Sequence, residues 1–280
     1  MINIGIESVA LGLVAALTWG AGDFSGGVAT KRASAYSVVI VAHIASLFMV
    51  VGLAILFKEP VPPLQSWLWG GVAGLCGGFG LILLYSALAG GRMSLAAPVS
   101  ALVAAAIPVI IAAFTQGLPG LLVMIGFAIA LAAIWLVSGG GGHGFRLADL
   151  RTPMVAGVSF GLFFICLHQA SGESILWPIV AVRIVSISSL LGYSLLTRQS
   201  IIPSRASLFP ILMSGLLDTI GNGAYALAAQ LGRVDVAAVL GSLYPGSTVL
   251  LAWLILKERM SGKQILGIAA ALAAIVLITL

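Results

Sequence analysis

The chain divides into ten apolar runs, at 8–30, 36–57, 67–89, 95–115, 118–138, 153–170, 176–196, 208–229, 236–256 and 262–280, with connections too short to hold a soluble domain. A helix rises about 1.5 Å per residue and a hydrocarbon layer is about 30 Å thick, so runs of this length are predicted to span a membrane. Composition agrees: 61% of the 280 residues are hydrophobic and 8% are charged, too little charge to wet the surface of a soluble globule. The expectation is an all-α integral membrane protein with ten transmembrane helices, its first partner being the lipid bilayer.

Several function classes drop out at this level. The net charge of +5 would suit nucleic acid, but the basic residues are scattered between apolar runs and form no stripe with interleaved aromatics. Cys76 and Cys166 both lie inside apolar runs, where a thiol behaves as a small hydrophobe, and no disulfide or zinc spacing is present. The N-terminal MINIGIES has no basic region ahead of its apolar run, so that run is expected to stay as a membrane helix. The glycine-rich GGGGHGFRLADLRT at 139–152 reads as a surface linker. It is no phosphate loop, because no Lys-Ser/Thr follows it and no strand precedes it. No cofactor, metal or enzyme constellation is expected.

That linker separates five runs from five. Sliding the chain against itself by 141 positions sets Gly126 on Gly267, Trp19-Gly20 on Phe160-Gly161, Gly74 on Gly215 and Gly91-Arg92 on Gly232-Arg233. One ungapped offset serving four runs of each half marks an internal duplication. The units are 1–138 and 153–280, joined by 139–152. Because five is odd, the second unit enters the membrane from the opposite side. Such inverted repeats place a substrate site near the midplane where the halves meet, which points to a transporter.

The C-terminal segment 236–280 carries Ser242, Leu243 and Tyr244-Pro245, then Leu251-Ala252-Trp253, then Lys257-Glu258-Arg259, and finally Gln264 and Gly267. These residues resemble the signature of the EamA family, within the drug/metabolite transporter superfamily. The resemblance implies ten helices as two fused five-helix repeats. It also implies export of amino acids or other small metabolites from bacteria, hence a multi-pass protein of the bacterial inner membrane. Glu258 and Arg183 are, by the same likeness, structural charges. The first half departs from the pattern, with Gly117 where the second has Glu258.

Polar side chains inside spans need partners or water, so they are the candidate site residues. Asp218, Asn222 and Tyr225 are spaced i, i+4 and i+7 and share one helix face. They line an aqueous cavity or form a helix–helix hydrogen-bond network; both readings are open. Trp19 and its repeat mate Phe160 are placed to face a central cavity, or to pack. Tyr85, one residue beyond the mate of Tyr225, joins them, as do Ser100 and Tyr244 beside the prolines Pro98, Pro108 and Pro245. Those prolines mark the fourth and ninth runs as bent helices. Substrate contact is expected from Trp19, Tyr85, Ser100, Phe160, Asn222, Tyr225 and Tyr244. Coupling or gating, with protons as the coupling ion, is expected from Asp23, His43 and Asp218, against the bland alternatives of an interfacial ion pair and a buried neutral imidazole.

Of the thirteen Lys and Arg, Arg183 lies inside a run, ten fall in one alternate set of connections and only Lys58 and Arg233 in the other. The positive-inside rule then puts both termini outside. Two function classes stay open: a secondary transporter exporting a small metabolite, foremost an amino acid, as a monomer or weak dimer; and a lipid or lipid-linked sugar flippase. An intramembrane enzyme lacks any HExxH motif or triad.

Overall fold

The computed structural model describes residues 5–89, 93–137, 150–198, 201–257 and 261–279. They form α1 (Ile6–Thr30), α2 (Ala35–Leu56), α3 (Leu64–Ala89), α4 (Met93–Thr115), α5 (Leu121–Val137) and α6 (Arg151–Ala170). The remainder is α7 (Leu176–Leu196), α8 (Leu208–Leu231), α9 (Val234–Gly241), α10 (Tyr244–Leu256) and α11 (Gly262–Thr279). No strand occurs among the described residues. In hydrocarbon a helix satisfies its own backbone, whereas an open sheet edge does not. Six stretches are long and apolar enough to cross a membrane: α1, α2, Leu64–Ala87, α6, α7 and Val234–Ile255. Large apolar side chains point outward, Phe114 at 86% and Phe48 at 75% exposure. A surface so apolar is stable against lipid and not against water.

The tenfold segmentation differs from the structure in one place. The run at 236–256 is two helices, broken at Ser242 and Leu243. Pro245 sits at the second position of α10, where its missing N–H costs nothing to the new helix but cannot continue the old one. In contrast, α4 runs through Pro98 and Pro108 as one helix.

Glycine seams set how closely the helices approach. Along α3, a methyl at Gly70 would lie 2.9 Å from the Pro178 carbonyl oxygen and one at Gly74 would lie 2.5 Å from that of Val182, so α3 beds directly on the α7 backbone. Gly215, the mate of Gly74, beds α8 on the Ala42 carbonyl of α2 in the same way. The exchange recurs at α5 and α11: Gly126 meets Ala274 and Ile278, while Gly267 meets Ala133 and Val137. These partners differ by the offset of 141 in both directions. Likewise Gly221 abuts Trp19 and its mate Gly80 abuts Phe160. The two halves therefore trade contacts as the halves of a two-fold object do.

Polar clasps join the halves at the end where α2 stops and α7 starts. Glu59 accepts from the backbone N–H groups of Ile175 (2.8 Å), Leu176 (2.8 Å) and Trp177 (3.3 Å) and from the Ser174 hydroxyl (2.8 Å). It thereby supplies in trans the acceptors that the first turn of α7 lacks. Arg233, at the junction of α8 and α9, pairs with Asp235 at 2.8 Å and donates to the Gln116 and Gly117 carbonyls that follow α4.

Candidate functional site

Between the halves, midway along the helices, lies a cavity of about 50 Å³. A buried water needs about 10–15 Å³ by this measure, so the space holds a few waters or a small solute group. α1 supplies Trp19 and, one turn on, Asp23; α2 supplies His43; α7 supplies Arg183; α8 supplies Asp218 and Asn222; α10 supplies Tyr244. The apolar wall comes from Phe160, Phe163 and Phe164 of α6, with Gly77, Gly78 and Leu81 of α3.

Trp19, His43, Arg183, Asp218 and Asn222 form one chain across four helices. Arg183, 1% exposed, donates from Nη2 to Asp218 (2.5 Å) and to the Thr219 hydroxyl (2.8 Å), and from Nη1 to His43 Nε2 (3.0 Å). A guanidinium only donates, so His43 Nε2 accepts; its Nδ1 then carries the proton and donates to Ser186 Oγ at 2.9 Å. His43 is thus held neutral in one tautomer, orienting Arg183. Asn222 donates to Asp218 at 3.2 Å and accepts from the Trp19 indole N–H at 2.9 Å. Asp23 stands apart from this chain, with one long bond from the Tyr85 hydroxyl at 3.4 Å, while Tyr85 also meets Ser214 at 3.1 Å.

Three rings form a triangle of mutual contacts. Trp19 stacks on Phe164 (centroids 5.3 Å apart), and Phe164 stacks on Tyr225 (4.7 Å). Tyr225 is wholly buried and donates to the Phe164 carbonyl at 3.0 Å, so it backs the wall and is not part of the lining. Ser100 is likewise buried, bonded to the Tyr244 hydroxyl at 3.1 Å. Tyr85 sits behind Asp23.

Of the residues singled out from the sequence, Trp19, Asp23, His43, Phe160, Arg183, Asp218, Asn222 and Tyr244 converge on the cavity. Tyr85, Ser100 and Tyr225 form a second layer, each touching a lining residue. Glu258 lies outside the described residues. Sequence reasoning missed Phe163 and Phe164, although Phe164 falls one helical turn after Phe160, and it missed Glu59, whose partners are backbone amides. Among the described residues no group of three His, Cys, Asp or Glu is placed to hold a metal ion.

The sequence profile of the EamA-like transporter family matches residues 7–139 and again residues 152–280. Among solved structures 28 chains match. One crystal structure, described only as that of a protein, superposes with a TM-score of 0.81 at 16% identity, over 97% of this chain and 95% of that one. At that identity the likeness is one of fold. No curated protein matches the chain.

Proposed function

We propose, from the premise that the chain belongs to the EamA-like transporter family, that it is a secondary transporter exporting a small amphiphilic metabolite with an amino group, an amino acid being the reference case. The observation that carries the reading is the cavity between the halves, which combines an ion-paired polar chain with an aromatic wall. Its modest volume favours a small solute over a lipid-linked sugar. Trp19, Phe160, Asn222 and Tyr244 contact the solute, with Tyr85, Ser100 and Tyr225 behind them.

In this account the chain crosses the bacterial inner membrane ten times, with α9 and α10 making one broken span. The units 1–138 and 153–280 are inverted repeats joined by 139–152. The exchange of contacts at the 141-residue offset supports that arrangement. Transport proceeds by alternating access as the halves rock about the glycine seams, whose smooth surfaces suit such sliding. The clasps at Glu59 and Arg233 hold one end shut, so the structure corresponds to a state closed at that end. Protons couple through Asp23 and Asp218, with His43 as the positioning base of the gate, and the protein works as a monomer or weak dimer.

The test is flux of an amino-acid panel into proteoliposomes, with and without an imposed pH gradient. Uptake that responds to the gradient is expected; absence of flux for every small solute sinks the reading. A second reading, a lipid flippase, draws on an apolar cleft of about 250 Å³ between α1, α5, α10 and α11, walled by Leu17, Leu250 and Leu272. Scrambling of a labelled lipid in the same vesicles, without solute flux, would favour it.

A further inference from the structure

Two carboxylates and one guanidinium face the cavity: Asp23, Asp218 and Arg183. Arg183 is committed, because Nη2 meets Asp218 and Thr219 and Nη1 meets His43. His43 accepts that bond on an unprotonated ring nitrogen and contributes no charge. One positive charge is therefore matched by one negative charge, and Asp23 is left over. Its one protein bond is the long one from Tyr85, and among the described residues no Lys, Arg or His lies in ion-pair contact with it.

An unmatched carboxylate beside aromatic walls selects by charge. A ligand ammonium gains the Asp23 carboxylate and lies among the lining rings of Trp19 and α6, and a cation is attracted to a ring within about 6 Å of its centroid. A ligand carboxylate finds no unpaired cation there. Three of the five N–H groups of Arg183 are taken by Asp218, Thr219 and His43, and of the other two the one at Nε is buried and without a partner. A zwitterion would bring its own carboxylate to a site whose one guanidinium is already paired with Asp218.

The geometry points to an organic ammonium ion with an apolar or aromatic body as the favoured ligand, its nitrogen held by Asp23, in preference to the zwitterionic amino acid of the same body. This narrows the substrate class of the proposed transport site and rests on that reading.

The test uses the purified full chain in proteoliposomes and two triads that share a body and differ in charge. These are phenethylamine, phenylalanine and 3-phenylpropanoate, and isobutylamine, valine and 3-methylbutanoate. Within each triad, the amine is expected to compete for binding at least tenfold better than the amino acid, and the acid to compete least. Asp23→Asn is expected to lower amine affinity at least tenfold and to erase the preference for amine over amino acid within each triad. Should that variant fail to fold, the wild-type ranking alone decides. Amino acid or acid binding as tightly as the amine, or amine affinity unchanged by Asp23→Asn, overturns the inference and leaves the transporter reading standing. Absence of flux for both triads and for the wider amino-acid panel overturns the reading beneath it.

Discussion

The Trp19 indole N–H donates to Asn222 Oδ1 at 2.9 Å, tying the first helix of one half to the polar helix of the other. The bond also fixes the Asn222 amide, whose Nδ2 then has only one way to face, toward Asp218. A side chain on the apolar wall and an ion pair on the polar wall are thus registered to each other. Asn222→Leu leaves the buried indole N–H without an acceptor and is expected to cost about 1–3 kcal/mol. Trp19→Phe in the Asn222→Leu background should cost less than the sum of the two changes, because the orphaned donor is gone. Thermal unfolding in detergent of the four proteins of this cycle measures the difference.

Arg183→Ala strands Asp218 without its counter-charge beside the cavity. Breaking a buried pair from one side costs about 3–5 kcal/mol, whereas removing both partners leaves no uncompensated charge. Arg183→Met alone should therefore lower the unfolding temperature more than Arg183→Met combined with Asp218→Leu. A double variant less stable than the single one would contradict the pairing.

Gly74 and Gly52 make a matched contrast. A methyl at Gly74 would stand 2.5 Å from the Val182 carbonyl oxygen, while one at Gly52, toward the C-terminal end of α2, meets nothing within 4 Å. Gly74→Ala is expected to destabilise by about 1–3 kcal/mol through overpacking. Gly52→Ala should be neutral or stabilising by up to about 1 kcal/mol, the helix-propensity difference. Circular-dichroism melts distinguish the two.

Much of this architecture is legible from small residues. Gly126 and Gly267, or Gly74 and Gly215, keep their places because backbone approaches there leave no room for a side chain, and that constraint survives in the sequence at a fixed offset. The site is legible in part for a related reason: Asp218, Asn222 and Arg183 are too costly in hydrocarbon to be there without partners. What the sequence withholds is rotation of each helix about its axis, which decides that Phe164 meets the cavity while Tyr225 stands behind it. Glu59 was invisible because it binds backbone amides of α7, which every residue type presents equally. Pro245 pointed to a bent helix over 236–256, where the structure has two helices separated at Ser242 and Leu243.

Glu59 closes the end of the assembly where α7 begins. Glu59→Gln keeps an acceptor oxygen but drops the charge facing the helix N-terminus, an effect of about 1–2 kcal/mol. In the alternating-access account this shifts the protein toward the state open at that end. A cysteine introduced at Ser174 should then react several-fold faster with a membrane-impermeant maleimide in the Glu59→Gln protein than in the protein with Glu59 retained. Equal rates would argue that the clasp is a static fold contact.

The central claim is that solute passes through the cavity between the halves. Leu81 lines that cavity from α3, so Leu81→Trp adds bulk there while leaving both partners of the ion pair in the sequence. The direct measurement is counterflow of labelled phenylalanine and phenethylamine in proteoliposomes of the wild-type and Leu81→Trp proteins, each first shown to be folded by its melting curve. The account predicts counterflow in the wild type and at least a tenfold loss in Leu81→Trp. Equal counterflow in the folded variant would contradict it.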